Sequence, residues 1–75
     1  MNFIYQINNW AINKQYDLLG KDVYCIYRYY PLERQWIPFR MGGADITGCL
    51  RWLCDCNVIT YDEMVLQISV LGEKQ

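Results

Sequence analysis

The stretch VYCIYRYYPLERQWIPFRM, residues 23–41, decides the fold prediction. Residues 23–30 are dense in β-branched and aromatic side chains, which favour β-strands. Pro31 opens a segment with turn chemistry, and residues 35–41 return as a second apolar and aromatic run. We therefore predict an antiparallel hairpin made of strands 23–30 and 35–41. Because Pro38 has no N–H to give to a strand ladder, we expect the second strand at a sheet edge or with a bulge.

The first twenty residues predict a strand followed by a helix. Residues 3–7 alternate apolar side chains onto one face, as a strand does. Asn8 or Asn9 is a suitable helix N-cap, and apolar residues then recur at helical spacing up to Gly20. A rival interpretation makes residues 3–19 one continuous helix, although Asn is a poor residue for a helix interior.

Two more helices are predicted after the hairpin. Asp45 is the expected N-cap of a helix over residues 46–56, which is apolar around most of its circumference. Thr60 and Glu63 have the spacing of a capping box, in which each side chain receives the other residue's N–H, so a second helix should follow. Apolar residues also alternate over residues 65–71, which leaves a strand there as the alternative.

The order β-α-β-β-α-α predicts an α+β fold for the chain. Its 75 residues are enough for a single small domain, residues 1–75, and no linker or repeat divides it. We expect an antiparallel sheet of about three strands with the helices on one face. So few strands leave an open edge, where another strand can dock.

Composition argues against several classes of function. The net charge is −1, which supplies little of the phosphate neutralisation that duplex binding needs. The absence of histidine removes the commonest general base and zinc ligand, and no phosphate-binding motif is present. We therefore expect no enzymatic activity, no cofactor and no metal. No apolar run reaches the roughly 18 residues of a membrane span, and no secretion signal is visible, so we expect a cytoplasmic protein with no membrane association.

The four cysteines are candidates for metal ligands, for disulfides and for core residues. Cys54 and Cys56 do not have zinc-knuckle spacing, and on a helix their side chains would point about 200° apart. Cys25 and Cys49 lie far from each other in sequence. We expect the cysteines to be small buried apolar residues. A metal site and disulfide or redox chemistry remain the alternatives, since sequence alone leaves their redox state open.

The candidate binding residues lie in the hairpin. Aromatic rings and arginines alternate there, a composition enriched both in protein-binding hot spots and in single-strand nucleic-acid sites. Cross-strand packing that only stabilises the hairpin is the third interpretation. With helices on one face only, we expect Tyr24, Tyr30 and a tryptophan on the other face. The candidate partner-binding residues are Tyr24, Tyr27, Tyr29, Tyr30, Trp36, Phe39, Arg28, Arg34 and Arg40.

These observations favour a small non-enzymatic protein-binding module that acts by sterically occupying a surface of a partner protein. Chains of this size in phages and mobile elements often inhibit host or defence complexes, and we hypothesise such a role. Two alternatives remain open. The first is a single-stranded nucleic-acid binder that uses the aromatic and arginine residues of the hairpin. The second is a homodimer formed through the aromatic face or the open sheet edge.

Overall fold

Four antiparallel strands form a meander in which each strand pairs with the next one along the chain. The structure is a computed structural model that describes residues 2–72. Its sheet has the order β1-β2-β3-β4, and two helices follow. The elements are β1 Tyr5–Ile7, β2 Trp10–Tyr16, β3 Asp22–Tyr30, β4 Gln35–Gly43, α1 Ile46–Asp55 and α2 Tyr61–Gly72.

The N-terminal region corrects the predicted element order. Residues 5–7 form a strand as predicted, but residues 10–16 form β2 and not a helix, so the sheet has four strands. Asn8 and Asn9 form the turn of a tight hairpin in place of a helix cap. Asn8 has a φ of 53°, a left-handed conformation that asparagine tolerates better than most residues. The predicted helix and the continuous helix over residues 3–19 are therefore both wrong.

The physical reason lies in the pairing of β2 with both of its neighbours. Ile12 lies opposite Tyr5 on β1 and opposite Ile26 on β3, so it is fully buried in the sheet. Ala11, one residue earlier, lies opposite Tyr27 on the other face. As a strand, this segment forms backbone hydrogen bonds with both β1 and β3 and buries one side chain on each face of the sheet. A helix in the same place would form neither set of hydrogen bonds.

The hairpin of β3 and β4 is confirmed, with strands that extend slightly beyond the predicted ends. β4 is an edge strand, as Pro38 predicted. It also contains a bulge, because Ile26 pairs with Arg40 and Tyr27 pairs with Pro38, which leaves Phe39 as an extra residue. Because of the bulge, Phe39 and Arg40 lie on the same side of the sheet although they are consecutive residues, which strict alternation along the strand would not allow.

The predicted cap of α1 is confirmed, and the predicted capping box of α2 is confirmed in part. Asp45 caps α1, because its Oδ1 accepts a hydrogen bond of 2.8 Å from the Thr47 backbone N–H. Thr60 accepts from the Glu63 backbone N–H at 3.1 Å, which is half of a capping box. The Glu63 carboxylate does not accept from the Thr60 backbone N–H; it accepts a hydrogen bond of 2.9 Å from the Tyr5 hydroxyl. The alternative strand over residues 65–71 is wrong, since those residues are helical.

The core lies between the helices and one face of the sheet. The sheet contributes Ile12, Tyr24 and Ile26, and both helices pack against them. Close approach of α1 to β4 depends on Gly42, since a Cβ at this position would collide with the Cys49 sulfur. The side chains that α1 buries completely are Ile46, Cys49, Leu50 and Leu53.

Candidate functional site

The predicted binding residues divide between the two faces of the sheet. Tyr24 has no exposed surface and packs in the core beside the helices, which contradicts its expected place on the helix-free face. Tyr30 shares the face of Tyr24 by strand alternation, so the same correction applies to it. Tyr27 is 5% exposed on the opposite face. Tyr24 and Tyr27 therefore offer almost no surface to a partner.

On the helix-free face, aromatic rings pack mainly against one another. Phe3 lies over this face, with its ring centre 5.6 Å from that of Tyr27 and 4.8 Å from that of Trp36. The ring centre of Tyr29 lies 5.2 Å from that of Trp36. The Gln15 amide donates a hydrogen bond of 2.7 Å to the Tyr27 hydroxyl. This cluster covers one face of the sheet, and internal packing accounts for most of its aromatic content.

A second aromatic group lies at the side of the helices and is more exposed. Trp10, the first residue of β2, contacts Phe39 at 5.2 Å and Trp52 at 5.4 Å between ring centres. Phe39 and Trp52 close the triangle at 5.7 Å. Phe39 is the bulged residue of β4 and is 48% exposed. Trp52 comes from the flank of α1, so three separate elements build this group.

Two arginines complete the site. The Arg28 guanidinium carbon lies 4.7 Å from the centre of the Trp10 ring, and that of Arg40 lies 5.8 Å from the centre of the Trp52 ring. Both distances fall within the range of cation–π attraction. We name the five residues together the Arg-aromatic surface: Trp10, Arg28, Phe39, Arg40 and Trp52.

The positive charge of this surface is not neutralised within the described part of the chain. In residues 2–72 the ion pair that forms joins Lys14 and Asp22 at 3.5 Å, and neither Arg28 nor Arg40 has a carboxylate within ion-pair distance. Arg34, in contrast, lies in the turn between β3 and β4 with a φ of 52° and is not part of the surface. The surface thus presents two guanidinium groups on a partly exposed apolar base.

Sequence reasoning missed the two tryptophans of the surface. Trp10 falls in the region whose spacing predicts a helix, and Trp52 falls in the predicted helix over residues 46–56, where most residues are apolar. The pairing of β2 with β3 is the signal that would have found Trp10. When residues 10–16 form a strand, Trp10 lies directly opposite Arg28. Nothing in the local sequence reports that Trp52 reaches both of the other rings.

Cysteine burial is uneven. Cys25 and Cys49 are buried as predicted, Cys54 is half-buried, and Cys56 is exposed, which contradicts the expectation for that residue. Burial, with smaller effects from Cys25 and Asp45, raises the pKa of the Cys49 thiol to about 12. Burial also raises the pKa of Cys25. Both buried thiols are therefore protonated and weakly nucleophilic at neutral pH.

The described residues contain no metal-binding cluster. In residues 2–72 all four cysteines are free thiols. No group of three or more metal-ligating side chains occurs in that range.

Comparison with known proteins gives no relative: no family model, no curated protein and no solved structure matches this chain. Across residues 2–72, neither helix combines the length and the apolar character that crossing a membrane requires.

Proposed function

We propose that this chain is a non-enzymatic protein-binding module whose contact region is the Arg-aromatic surface. One observation carries the proposal: Trp10, Phe39 and Trp52 form a partly exposed triangle, and two arginines without carboxylate partners lie on it. Tryptophan and arginine are the residues most enriched at energetic hot spots of protein interfaces. Trp10 and Trp52 are partly buried and Phe39 is 48% exposed; a contiguous group of partly exposed aromatic rings more often marks a contact site than single exposed residues do.

The surface is built to bind without rearrangement. Trp10 and Arg28 are held by facing strands, Trp52 by a capped helix, and Phe39 by a bulge next to Pro38. Side chains fixed in this way lose little conformational entropy on binding, which favours affinity for a given contact area. A partner that brings carboxylates beside an apolar side chain would satisfy both guanidinium groups and cover the exposed part of Phe39.

Steric occupation is the mechanism that follows. A preformed surface can act on a larger protein by covering one of its surfaces. We propose that the chain inhibits a larger complex in this way, as small phage and mobile-element proteins do to host or defence complexes. The size of the chain and the preformed surface support this proposal.

The test is affinity capture with matched variants. We expect wild-type chain to retain a partner in stoichiometric amount and a Phe39→Ala/Arg40→Ala variant to lose it, because a hot-spot residue costs about 2 kcal/mol or more when truncated. The control is Leu32→Ala, which removes another exposed apolar side chain, 95% accessible, from the turn between β3 and β4. Equal capture by the surface variant and the control would contradict the proposal.

Single-stranded nucleic acid is the second candidate, favoured by the stacking of Arg28 on Trp10. The ring geometry argues against it. Trp10 and Phe39 meet at an interplanar angle of 89°, and Arg28 already covers the Trp10 ring, so few flat ring faces are free for bases. Fluorescence anisotropy with a labelled single-stranded oligonucleotide decides the matter. Nucleic-acid affinity should fall steeply and log-linearly with salt, whereas an aromatic protein contact should not.

A further inference from the structure

Both arginines of the Arg-aromatic surface keep their hydrogen-bond donors free within residues 2–72. A guanidinium group carries five N–H donors in its plane, and contact with a ring occupies only its flat face. The Arg28 guanidinium lies over the Trp10 ring and that of Arg40 lies over the Trp52 ring. Neither group donates a hydrogen bond to another residue of the described range. Each ring therefore holds a guanidinium whose donors stay available to a partner.

Several carboxylates of the chain are already engaged elsewhere. Asp22 pairs with Lys14 at 3.5 Å. Glu63 accepts a hydrogen bond from a hydroxyl of β1. Asp17 and Asp45 accept backbone N–H groups, the first in the turn between β2 and β3 and the second at the start of α1. Because no carboxylate of residues 2–72 pairs with either arginine of the surface, the complementary charge is left for a partner to supply.

We propose that the Arg-aromatic surface binds an acidic segment of a partner protein, in which two carboxylates pair with Arg28 and Arg40 and a bulky apolar side chain covers Phe39. This inference rests on the proposed function, since it names the chemistry of the partner at the same surface. Charge complementarity carries it, because interfaces place opposite charges together. A carboxylate can accept two parallel N–H bonds from one guanidinium, and the exposed part of Phe39 offers the apolar contact.

The register of the sheet sets the spacing of the two carboxylates. Arg40 lies opposite Ile26, which is two residues from Arg28 along β3, so the two arginines are diagonal neighbours on one face. Diagonal neighbours in a sheet lie about 7–8 Å apart. Side chains two residues apart in an extended segment point to one side, at about 6.6–6.8 Å from each other. An extended segment of the form acid-x-acid-x-apolar therefore matches both arginines and brings its apolar side chain to the same side.

Nuclear magnetic resonance titration with two matched peptides tests the proposal. The probe is acetyl-Gly-Ser-Glu-Thr-Glu-Thr-Leu-Ser-Gly-amide, and the matched peptide has glutamine in place of both glutamates. We expect the acidic peptide to shift the side-chain Nε–H signals of Arg28 and Arg40. It should bind at least about tenfold more tightly than the glutamine peptide, because hydrogen bonds between charged groups are stronger than neutral ones. Equal affinity for the two peptides, or no shift up to about 5 mM acidic peptide, would overturn the proposal.

Two variants of the chain show whether these arginines cause the preference. Arg28→Gln/Arg40→Gln removes both guanidiniums and should bind the two peptides equally. Lys21→Gln/Arg34→Gln removes the same amount of positive charge from two exposed turn positions and should keep the preference of wild type. Circular dichroism confirms that both variants are folded. A preference that survives in the first variant, or that is lost in the second, would show that general charge attraction and not the surface selects the acidic peptide.

Failure of this inference can be separated from failure of the proposed function. Affinity capture that is lost in Phe39→Ala but retained in Arg28→Gln/Arg40→Gln would leave the surface as the contact region and overturn the acidic segment. Capture that Phe39→Ala/Arg40→Ala leaves unchanged would contradict the proposed function itself. Capture that is lost in both Phe39→Ala and Arg28→Gln/Arg40→Gln, together with the peptide preference, is the result that we expect.

Discussion

Arg28 lies directly opposite Trp10 across β2 and β3, and its guanidinium carbon is 4.7 Å from the centre of the indole ring. This pair combines an aromatic ring with an unneutralised positive charge. The Trp10 ring belongs to the aromatic triangle, and the Arg28 guanidinium has no carboxylate within ion-pair distance in residues 2–72. An arginine in this position stabilises the fold only modestly. Its larger effect is expected on binding, where the guanidinium is oriented before the partner arrives.

Replacing Arg28 by lysine should weaken partner binding while leaving stability nearly unchanged. Lysine keeps the charge but loses the planar group that stacks on Trp10 and that can bind a carboxylate with two hydrogen bonds. The stacking contributes about 0.5–1 kcal/mol to stability at a partly exposed site, and lysine retains some of it. Urea unfolding measures the stability, and titration calorimetry with the captured partner measures the affinity. Unchanged affinity would show that Arg28 does not orient the partner.

Substituting Gly42 should show how closely α1 approaches the sheet. The Cβ of Gly42→Ala would collide with the Cys49 sulfur, so overpacking should lower the free energy of unfolding by about 1–3 kcal/mol or more. Gly72→Ala is the matched control, because nothing lies within 4 Å of its Cβ position. That control should be neutral or stabilising by up to about 1 kcal/mol. Equal urea midpoints for both variants would contradict the described packing.

The link between Tyr5 and Glu63 should give the stability a dependence on alkaline pH. Burial, and then the hydrogen bond to Glu63, raises the pKa of Tyr5 to about 12 from an ordinary value near 10. A raised pKa stabilises the folded state fully below about pH 10, and this stabilisation is lost as the pH rises toward 12. Tyr5→Phe should therefore lose less stability between about pH 10 and 12 than wild type does. Parallel curves for the two proteins would contradict this assignment.

Thiol reactivity should follow burial in the native protein. Cys56 is exposed and should react first with an alkylating reagent near pH 8, and the half-buried Cys54 should react more slowly. Burial raises the pKa of both Cys25 and Cys49, so they should react only after unfolding. Mass spectrometry after timed alkylation counts the modified residues. Early modification of Cys49 would show that the core between α1 and β4 is open.

Local sequence signals were sufficient for the hairpin and the two helices. Residues 23–30 could be assigned because aromatic and β-branched side chains favour strands, and Pro38 correctly indicated both an edge and a bulge. Asp45 and Thr60 correctly marked the helix starts, since their side chains accept backbone hydrogen bonds in the first turn. Each of these signals acts within a few residues.

The β2 strand could not be assigned from local signals, because residues 10–16 carry a pattern that suits a helix as well. Its strand conformation depends on the ladder with β3, whose partner residues lie 6 to 18 positions away along the chain. The Asn8-Asn9 pair was the usable clue, because asparagine serves in tight hairpin turns as readily as at helix caps.

The candidate site was also predicted only in part, because some of its residues come together through contacts between distant parts of the sequence. Arg28, Phe39 and Arg40 belong to the hairpin and were named from its composition. Trp10 and Trp52 come from β2 and α1, and only tertiary packing brings them to Phe39. Arg40 lies on the same side of the sheet as Phe39 because of the bulge, which strand alternation does not predict.

Comparative affinity capture tests the Arg-aromatic surface most directly. Wild type, Phe39→Ala/Arg40→Ala and Leu32→Ala are immobilised in parallel, treated with nuclease and exposed to the same lysate, and the bound proteins are quantified by mass spectrometry. The account predicts one protein at a near-stoichiometric level on wild type and Leu32→Ala, and at least about tenfold less on the double variant. A protein retained equally by all three, or material lost on nuclease treatment, would contradict it.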